Sequence, residues 1–182
     1  MFRDLTKNVC ELSNLTELHL CLCPNIRKLP ETITRLTNLE ALTVEDCEEL
    51  YSVPRNLLSL GKLKRLEITE CDQLQVPPES LPPSLEAVSL GNCEDSIPLP
   101  DIAKLPKLTK LGLKLAHAEQ HVVTISSSMT HLKHLKLFLA RETEELPVPL
   151  STFPQLRTLK IQRAGRVERL PETIGICQSC RF

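Results

Sequence analysis

The segment LTELHLCLCPNIRKLPETITRL, residues 15–36, decides the fold because its apolar residues occupy a fixed frame. That frame is L-x-x-L-x-L-x-x-C-x-x-L-x-x-L-P-x-x-I-x-x-L. It returns over residues 39–60, and again over 156–177 with Ala164 in the cysteine position and Cys177 in the last leucine position. Pairs of leucine-type residues from its first part recur along the chain: Leu18/Leu20, Leu42/Val44, Leu66/Ile68, Val88/Leu90, Leu111/Leu113, Leu135/Leu137 and Leu159/Ile161.

The steps between these pairs are 24, 24, 22, 23, 24 and 24 residues. A period in this range is typical of leucine-rich repeats and predicts a solenoid of about seven coils. A strand sends residues i and i+2 to one side, so Leu18 and Leu20 are expected to point inward and His19 outward. One coil cannot bury its own apolar side, so the coils must stack. The stacked strands are predicted to form a parallel β-sheet on the concave face.

The return arm of each coil carries proline at or near one register. Proline lacks a backbone donor and is disfavoured inside helices. The convex arm is therefore predicted to be mostly extended or 3₁₀, without long helices. The prolines concerned are Pro30, Pro54, Pro77, Pro98, Pro147 and Pro171.

The repeat frame fills the chain, which predicts a single solenoid over residues 1–182 with partial coils at both ends. Residues 5–9 align with 29–33, and the chain stops where an eighth strand would begin. Solenoid ends normally carry capping coils with a polar outer side, and neither end shows one. We expect a segment of a longer solenoid, with its ends covered by adjoining domains or by self-association.

Composition excludes several classes of partner and location. The net charge is -1, which gives no overall field for nucleic acid or a membrane surface. No run of about 18 apolar residues is present, so no membrane span is predicted. The first residues lack the apolar stretch of a secretory signal. We therefore expect a cytoplasmic protein in which the eight cysteines are free thiols.

The frame carried by residues 15–36 and 39–60 resembles the leucine-rich-repeat region of plant nucleotide-binding immune (disease resistance) receptors. The resemblance implies a role in plant defence, as a protein-binding region that senses ligands and holds a nucleotide-binding module inactive. The phosphate-binding motif G-x-x-x-x-G-K-[ST] is missing from the sequence, so ATP binding is not implied and no cofactor is predicted. No nucleophile is paired with a base and an orienting acid, so we predict neither catalytic residues nor enzyme activity.

Four cysteines occupy one position of the repeat and should stack as a column: Cys23, Cys47, Cys71 and Cys93. Adjacent thiolates on neighbouring strands suit a soft cation such as Cu(I), which makes metal binding an alternative function. The same position holds Ala116, Ala140 and Ala164 in the next coils. A site that accepts cysteine or alanine favours the simpler interpretation of a small apolar residue at an inward bend.

The outward residues of the strands segregate by charge. The first four coils carry mainly acids, Glu45 and Glu67 among them, against Lys64 and Arg65. In the last three coils all charged residues in these positions are bases. Solenoids bind through this face, so the segregation predicts a protein partner with an acidic surface, although a merely solvated face is the alternative. Phe138 and Leu139 are expected to be exposed apolar anchors. The predicted contact residues are Lys110, Lys114, His134, Lys136, Phe138, Lys160, Arg163, Glu45 and Glu67.

Overall fold

The computed structural model describes residues 9–74, 81–91, 102, 104–115, 129–139 and 153–162. Seven strands form one parallel sheet in which chain order and sheet order agree. The predicted sheet and its strand number are confirmed. The strands are β1 (Glu17–Cys21), β2 (Ala41–Glu45), β3 (Arg65–Thr69), β4 (Ala87–Gly91), β5 (Lys110–Leu115), β6 (His134–Leu139) and β7 (Thr158–Gln162).

The strand register aligns the leucine-type pairs of successive coils. Leu18 pairs with Leu42, which pairs with Leu66, and this order continues through β7. In β1 burial alternates residue by residue, as the sequence predicts for an inward pair flanked by outward residues. Six of the aligned residues illustrate the result, since all are buried: Leu18, Leu20, Leu42, Val44, Leu66 and Ile68.

In the first coils the return arm contains short 3₁₀ helices, whereas Ile102 in a later arm is α-helical. They span Glu31–Arg35 and Arg55–Ser59, each directly after a proline, and a shorter one spans Val9–Glu11. Ile33 and Leu57 are the buried residues of the two longer helices and close the apolar interior opposite the sheet. These coils confirm the predicted 3₁₀ arm. No helix in the described part of the chain is long and apolar enough to cross a membrane.

A left-handed residue follows each of the first three strands. Leu22, Asp46 and Glu70 have φ values of 53, 52 and 54°. Each of these residues donates its backbone N–H to a carbonyl of the next strand, as Leu22 does to Glu45 at 3.0 Å. The chain thereby keeps its sheet bonding for one more residue while it turns. The residue after this turn is the cysteine position, and Cys47 is completely buried there.

Truncating a stacked leucine should destabilise the whole fold. Leu66 lies in the middle of the stack and is 0% exposed. We expect Leu66→Ala to lower the free energy of unfolding by about 2–5 kcal/mol, because the coils on both sides prevent the cavity from collapsing. Denaturant titration measures the change. Leu58→Ala is the matched control, since Leu58 is 50% exposed on a 3₁₀ helix, and should cost less than about 0.5 kcal/mol. A loss below about 1 kcal/mol for Leu66→Ala would contradict the observed register.

Candidate functional site

The solvent side of the sheet, called the concave face below, arranges its outward residues in three rows that run across the strands. The first row is Glu17, Ala41, Arg65, Ala87, Lys110, His134 and Thr158. The second row is His19, Thr43, Glu67, Ser89, Gly112, Lys136 and Lys160. The third row is Cys21, Glu45, Thr69, Gly91, Lys114, Phe138 and Gln162. In the second and third rows the acidic residues, Glu67 and Glu45, come before β4 and the lysines come after it, whereas the first row also carries Arg65 on β3.

The basic half of this face comprises the outward residues of β5–β7 together with the residues just before β6 and β7. Its predicted members are brought together by the sheet, with the exception of Arg163, which lies outside the described residues. Lys110 and Lys160 are exposed, and Lys114 and Lys136 are partly exposed. No salt bridge within the described residues involves these four lysines. The basic half also includes Lys133, His134 and Arg157.

His134 reports the electrostatics of the basic half. Partial burial, and then the positive charges of Lys110, Arg157, Lys133 and Lys160, hold the pKa of His134 below its ordinary 6.5. Its Nδ1 lies 3.1 Å from the hydroxyl of Thr158 in the next strand. His134 is therefore neutral at pH 7, and each surrounding cation disfavours its protonation. An anion placed here would relieve repulsion among these groups.

Phe138 is not the exposed anchor that the sequence predicts. It does lie in an outward position, yet it is only 4% exposed, and the neighbouring Leu139 is also buried. The reason is Gly91, which sits in the same row two strands away. A Cβ atom at Gly91 would lie 2.6 Å from Cε2 and Cζ of Phe138, so the ring occupies the space that glycine leaves open. The Nζ of Lys136 covers the ring, 4.3 Å from its centroid, and forms a cation–π contact.

The sequence predicts acidic residues on the first four coils, and on the strands of the concave face they lie on β1–β3, because the outward residues of β4 are uncharged. Glu45 is exposed and Glu67 is partly exposed. The one lysine beside these strands is neutralised, because Nζ of Lys64 lies 2.7 Å from Oε2 of Glu40. This contact raises the pKa of Lys64 and lowers that of Glu40. Arg65 is the remaining base on this half.

A neutral strip separates the two halves, which residue spacing alone did not predict. The outward residues of β4 are Ala87, Ser89 and Gly91, none of them charged. On β5 the second row continues with Gly112, whose missing Cβ leaves room for the hydroxyl of Ser89. Aligning the repeats by strand register would have revealed this strip, since glycine in an outward strand position is a signal of close approach.

The cysteine column is a packing feature in the described coils. Cys47 and Cys71 are completely buried and Cys23 is partly buried; Cys93 lies outside the described residues. The Sγ of Cys71 contacts the carbonyl oxygen of Thr69 at 3.4 Å, and Cys47 contacts that of Glu45 at 3.5 Å. Burial raises the pKa of Cys47, and that of Cys71 to about 11. Metal ligation requires the thiolate, so these environments favour the neutral thiol over the Cu(I) alternative.

Comparisons with known proteins agree with this architecture. The family described as a leucine-rich repeat region matches residues 3–180. Among solved structures, the leucine-rich repeat domain of the type III effector XopL has a TM-score of 0.65 at 21% identity, covering 96% of this chain and 70% of that one. A leucine-rich-repeat protein of Leptospira interrogans has a TM-score of 0.58 at 22% identity, covering 98% and 50%. A plant ice-binding protein has a TM-score of 0.54 at 20% identity, covering 92% and 54%. This chain thus spans about half the length of the latter two. No curated protein matches it in sequence.

Filling the space at Gly91 should expel the Phe138 ring. We expect Gly91→Ala to lower the free energy of unfolding by about 1–3 kcal/mol, because its methyl group overlaps the ring. In a Phe138→Ala background the same substitution should cost almost nothing. Denaturant titrations of the two single variants and the double variant measure this coupling. Equal costs in both backgrounds would contradict the contact.

Removing one neighbouring cation should raise the pKa of His134. Lys110 is the largest of the charges that lower it. We expect Lys110→Gln to move the imidazole titration, followed by NMR, to higher pH, while Lys62→Gln, a distant substitution, should leave it unchanged. In the unaltered protein the unfolded chain binds this proton more readily than the folded one. His134 therefore makes stability fall as pH drops from about 6.5 to its folded pKa. An unchanged titration in Lys110→Gln would show that Lys110 does not act on His134.

Proposed function

Because the chain belongs to the leucine-rich repeat region family, we propose that it is a non-catalytic module that binds an acidic protein partner on the basic half of its concave face. Leucine-rich-repeat proteins typically act as scaffolds for protein interaction, and solenoids generally bind through extended concave surfaces. The structure describes seven strands with outward side chains of ordered charge on such a surface.

The observation that carries this proposal is the basic half, whose four predicted lysines form no salt bridge with any residue that the structure describes. Its cations occupy adjacent strands, which lie about 4.8 Å apart. That separation is well inside a Debye length of about 8 Å at physiological salt, so the cations repel one another. The pKa of His134 is lowered first by its partial burial and then by these neighbouring cations. A partner with carboxylates facing β5–β7 would gain favourable interactions and relieve the strain between like charges.

We also propose a setting for the module, as the sensing and autoinhibitory region of a plant-type immune receptor in the cytoplasm. This rests on the frame of residues 15–36 and 39–60, which resembles that of such receptors. The fold alone does not distinguish this setting from others, because a Leptospira protein and a plant ice-binding protein have a similar fold. The complete transcript tests it. We expect a G-x-x-x-x-G-K-[ST] motif upstream, and a transcript without a nucleotide-binding module would overturn the assignment.

Site-specific photo-crosslinking tests where the partner binds. A photoreactive phenylalanine derivative replaces Gln162, which is exposed on β7, or Leu58, which is exposed on a 3₁₀ helix of the return arm. After irradiation in cells of the source organism, we expect a discrete adduct from position 162 and none from position 58. An adduct from position 58 alone would place the interface on the convex side and overturn the proposal.

Charge reversal then measures the contribution of the basic half. With the partner identified by the crosslink, we expect Lys110→Glu combined with Lys160→Glu to weaken binding at least about tenfold, mainly through slower association. The control is Arg35→Glu combined with Arg55→Glu, which makes the same change in charge on the exposed 3₁₀ arms. Surface plasmon resonance at low and at physiological salt separates the rates. Equal effects of the two double variants would show that only net charge matters.

A further inference from the structure

In two of the three rows of the concave face, the nearest acidic and basic residues are the same distance apart. In the third row, Glu45 on β2 and Lys114 on β5 are three strands apart. In the second row, Glu67 on β3 and Lys136 on β6 are also three strands apart. Three strand spacings are about 14 Å. Both rows therefore place the nearest opposite charges at the same separation, with uncharged residues between them.

In these two rows the separation prevents the acidic and basic residues from neutralising each other. An ion pair needs about 4 Å or less between its charged atoms, and about 14 Å exceeds the Debye length of about 8 Å at physiological salt. Lys64 and Glu40 show the contrast, because they lie just before β3 and β2 and form a salt bridge at 2.7 Å. The charges of the two halves thus stay available to a partner, each with its own sign.

We propose that the partner occupies the concave face with an extended segment that is basic at one end and acidic at the other. Its basic residues lie over β1–β3, where Glu45 and Glu67 face solvent, and its acidic residues lie over β5–β7. An extended chain advances about 3.3 Å per residue, so about four residues separate the two charged ends. This inference rests on the proposed function and specifies the chemistry of the partner.

The neutral strip suits the middle of such a segment. Ala87 and Ser89 carry short side chains, so a crossing chain can approach the strand closely there, while at Gly91 it meets the Phe138 ring instead of the backbone. Phe138 fills the space over Gly91 without protruding, since it is 4% exposed. Its ring also holds Lys136, whose Nζ lies 4.3 Å from the ring centroid. That lysine is thereby fixed at the border of the strip, where the acidic end of the segment begins.

Peptides that differ only in charge order test the inference. The probe is a capped peptide of three lysines, four small neutral residues and three glutamates, with a neutral fluorophore. The first control has the same composition with lysine and glutamate alternating, and the second has serine in place of the three lysines. Fluorescence anisotropy with the 182-residue chain measures each affinity at low salt. We expect the block peptide to bind at least about tenfold more tightly than either control.

Charge reversal on the acidic half separates this inference from the proposed function. Glu45→Lys combined with Glu67→Lys should lower the affinity for the block peptide at least about tenfold and should not lower the affinity for the serine-containing peptide. If the serine-containing peptide binds as tightly as the block peptide, the acidic half is not used. The inference is then overturned, while an acidic partner still stands. If neither peptide binds more tightly than the alternating one, both the inference and the proposed basic site are overturned.

Discussion

The stacking of leucine-type pairs across parallel strands is the constraint on which the rest of this molecule depends. Leu42 contacts its equivalents on both sides through the pairing of β1, β2 and β3, and it is completely buried. A coil alone would leave these side chains in water, so each coil is stable only against its neighbours. This is why the repeat length varies by so little. A strand displaced by one residue would turn its buried pair to solvent and its charges to the interior.

The same register also determines which outward residues lie side by side on the surface. Because inward residues pair strictly from strand to strand, outward residues must do so as well. Lys136 therefore lies beside Lys160 as a consequence of Leu137 lying beside Ile161. Like charges on adjacent strands are unfavourable, and the fold tolerates them here because core burial is far larger than surface repulsion. The packing energy of the core thus holds like charges close together that would move apart on a flexible chain. A binding partner of opposite charge gains favourable interactions from this arrangement.

Sequence alone predicted what depends on periodicity and missed what depends on contact between distant coils. The inward pairs and the 3₁₀ arm after Pro30 and Pro54 follow from residue spacing, and the structure agrees where it describes them. The predicted charge segregation also follows from spacing, but it did not include the uncharged outward residues of β4. The predicted exposure of Phe138 was wrong because its burial depends on Gly91, which is 47 positions away in the sequence and two strands away in the sheet. The cysteine column was predicted by position, but the state of its thiols depends on burial. That burial raises the pKa of Cys71 to about 11.

The neutral strip keeps acidic and basic residues of the concave face from pairing across adjacent strands. If acidic and basic residues alternated across the sheet, adjacent strands would pair them as Lys64 and Glu40 are paired, and the face would present little net field. Uncharged β4, together with Gly112 on β5, interrupts that pairing. The near-zero net charge of the chain then conceals two surfaces of opposite sign rather than an even mixture. A partner that is only acidic would contact the basic half and leave the acidic half without a binding partner. A segment with both signs uses both, and because its charges must match their spacing, it gains selectivity as well as affinity.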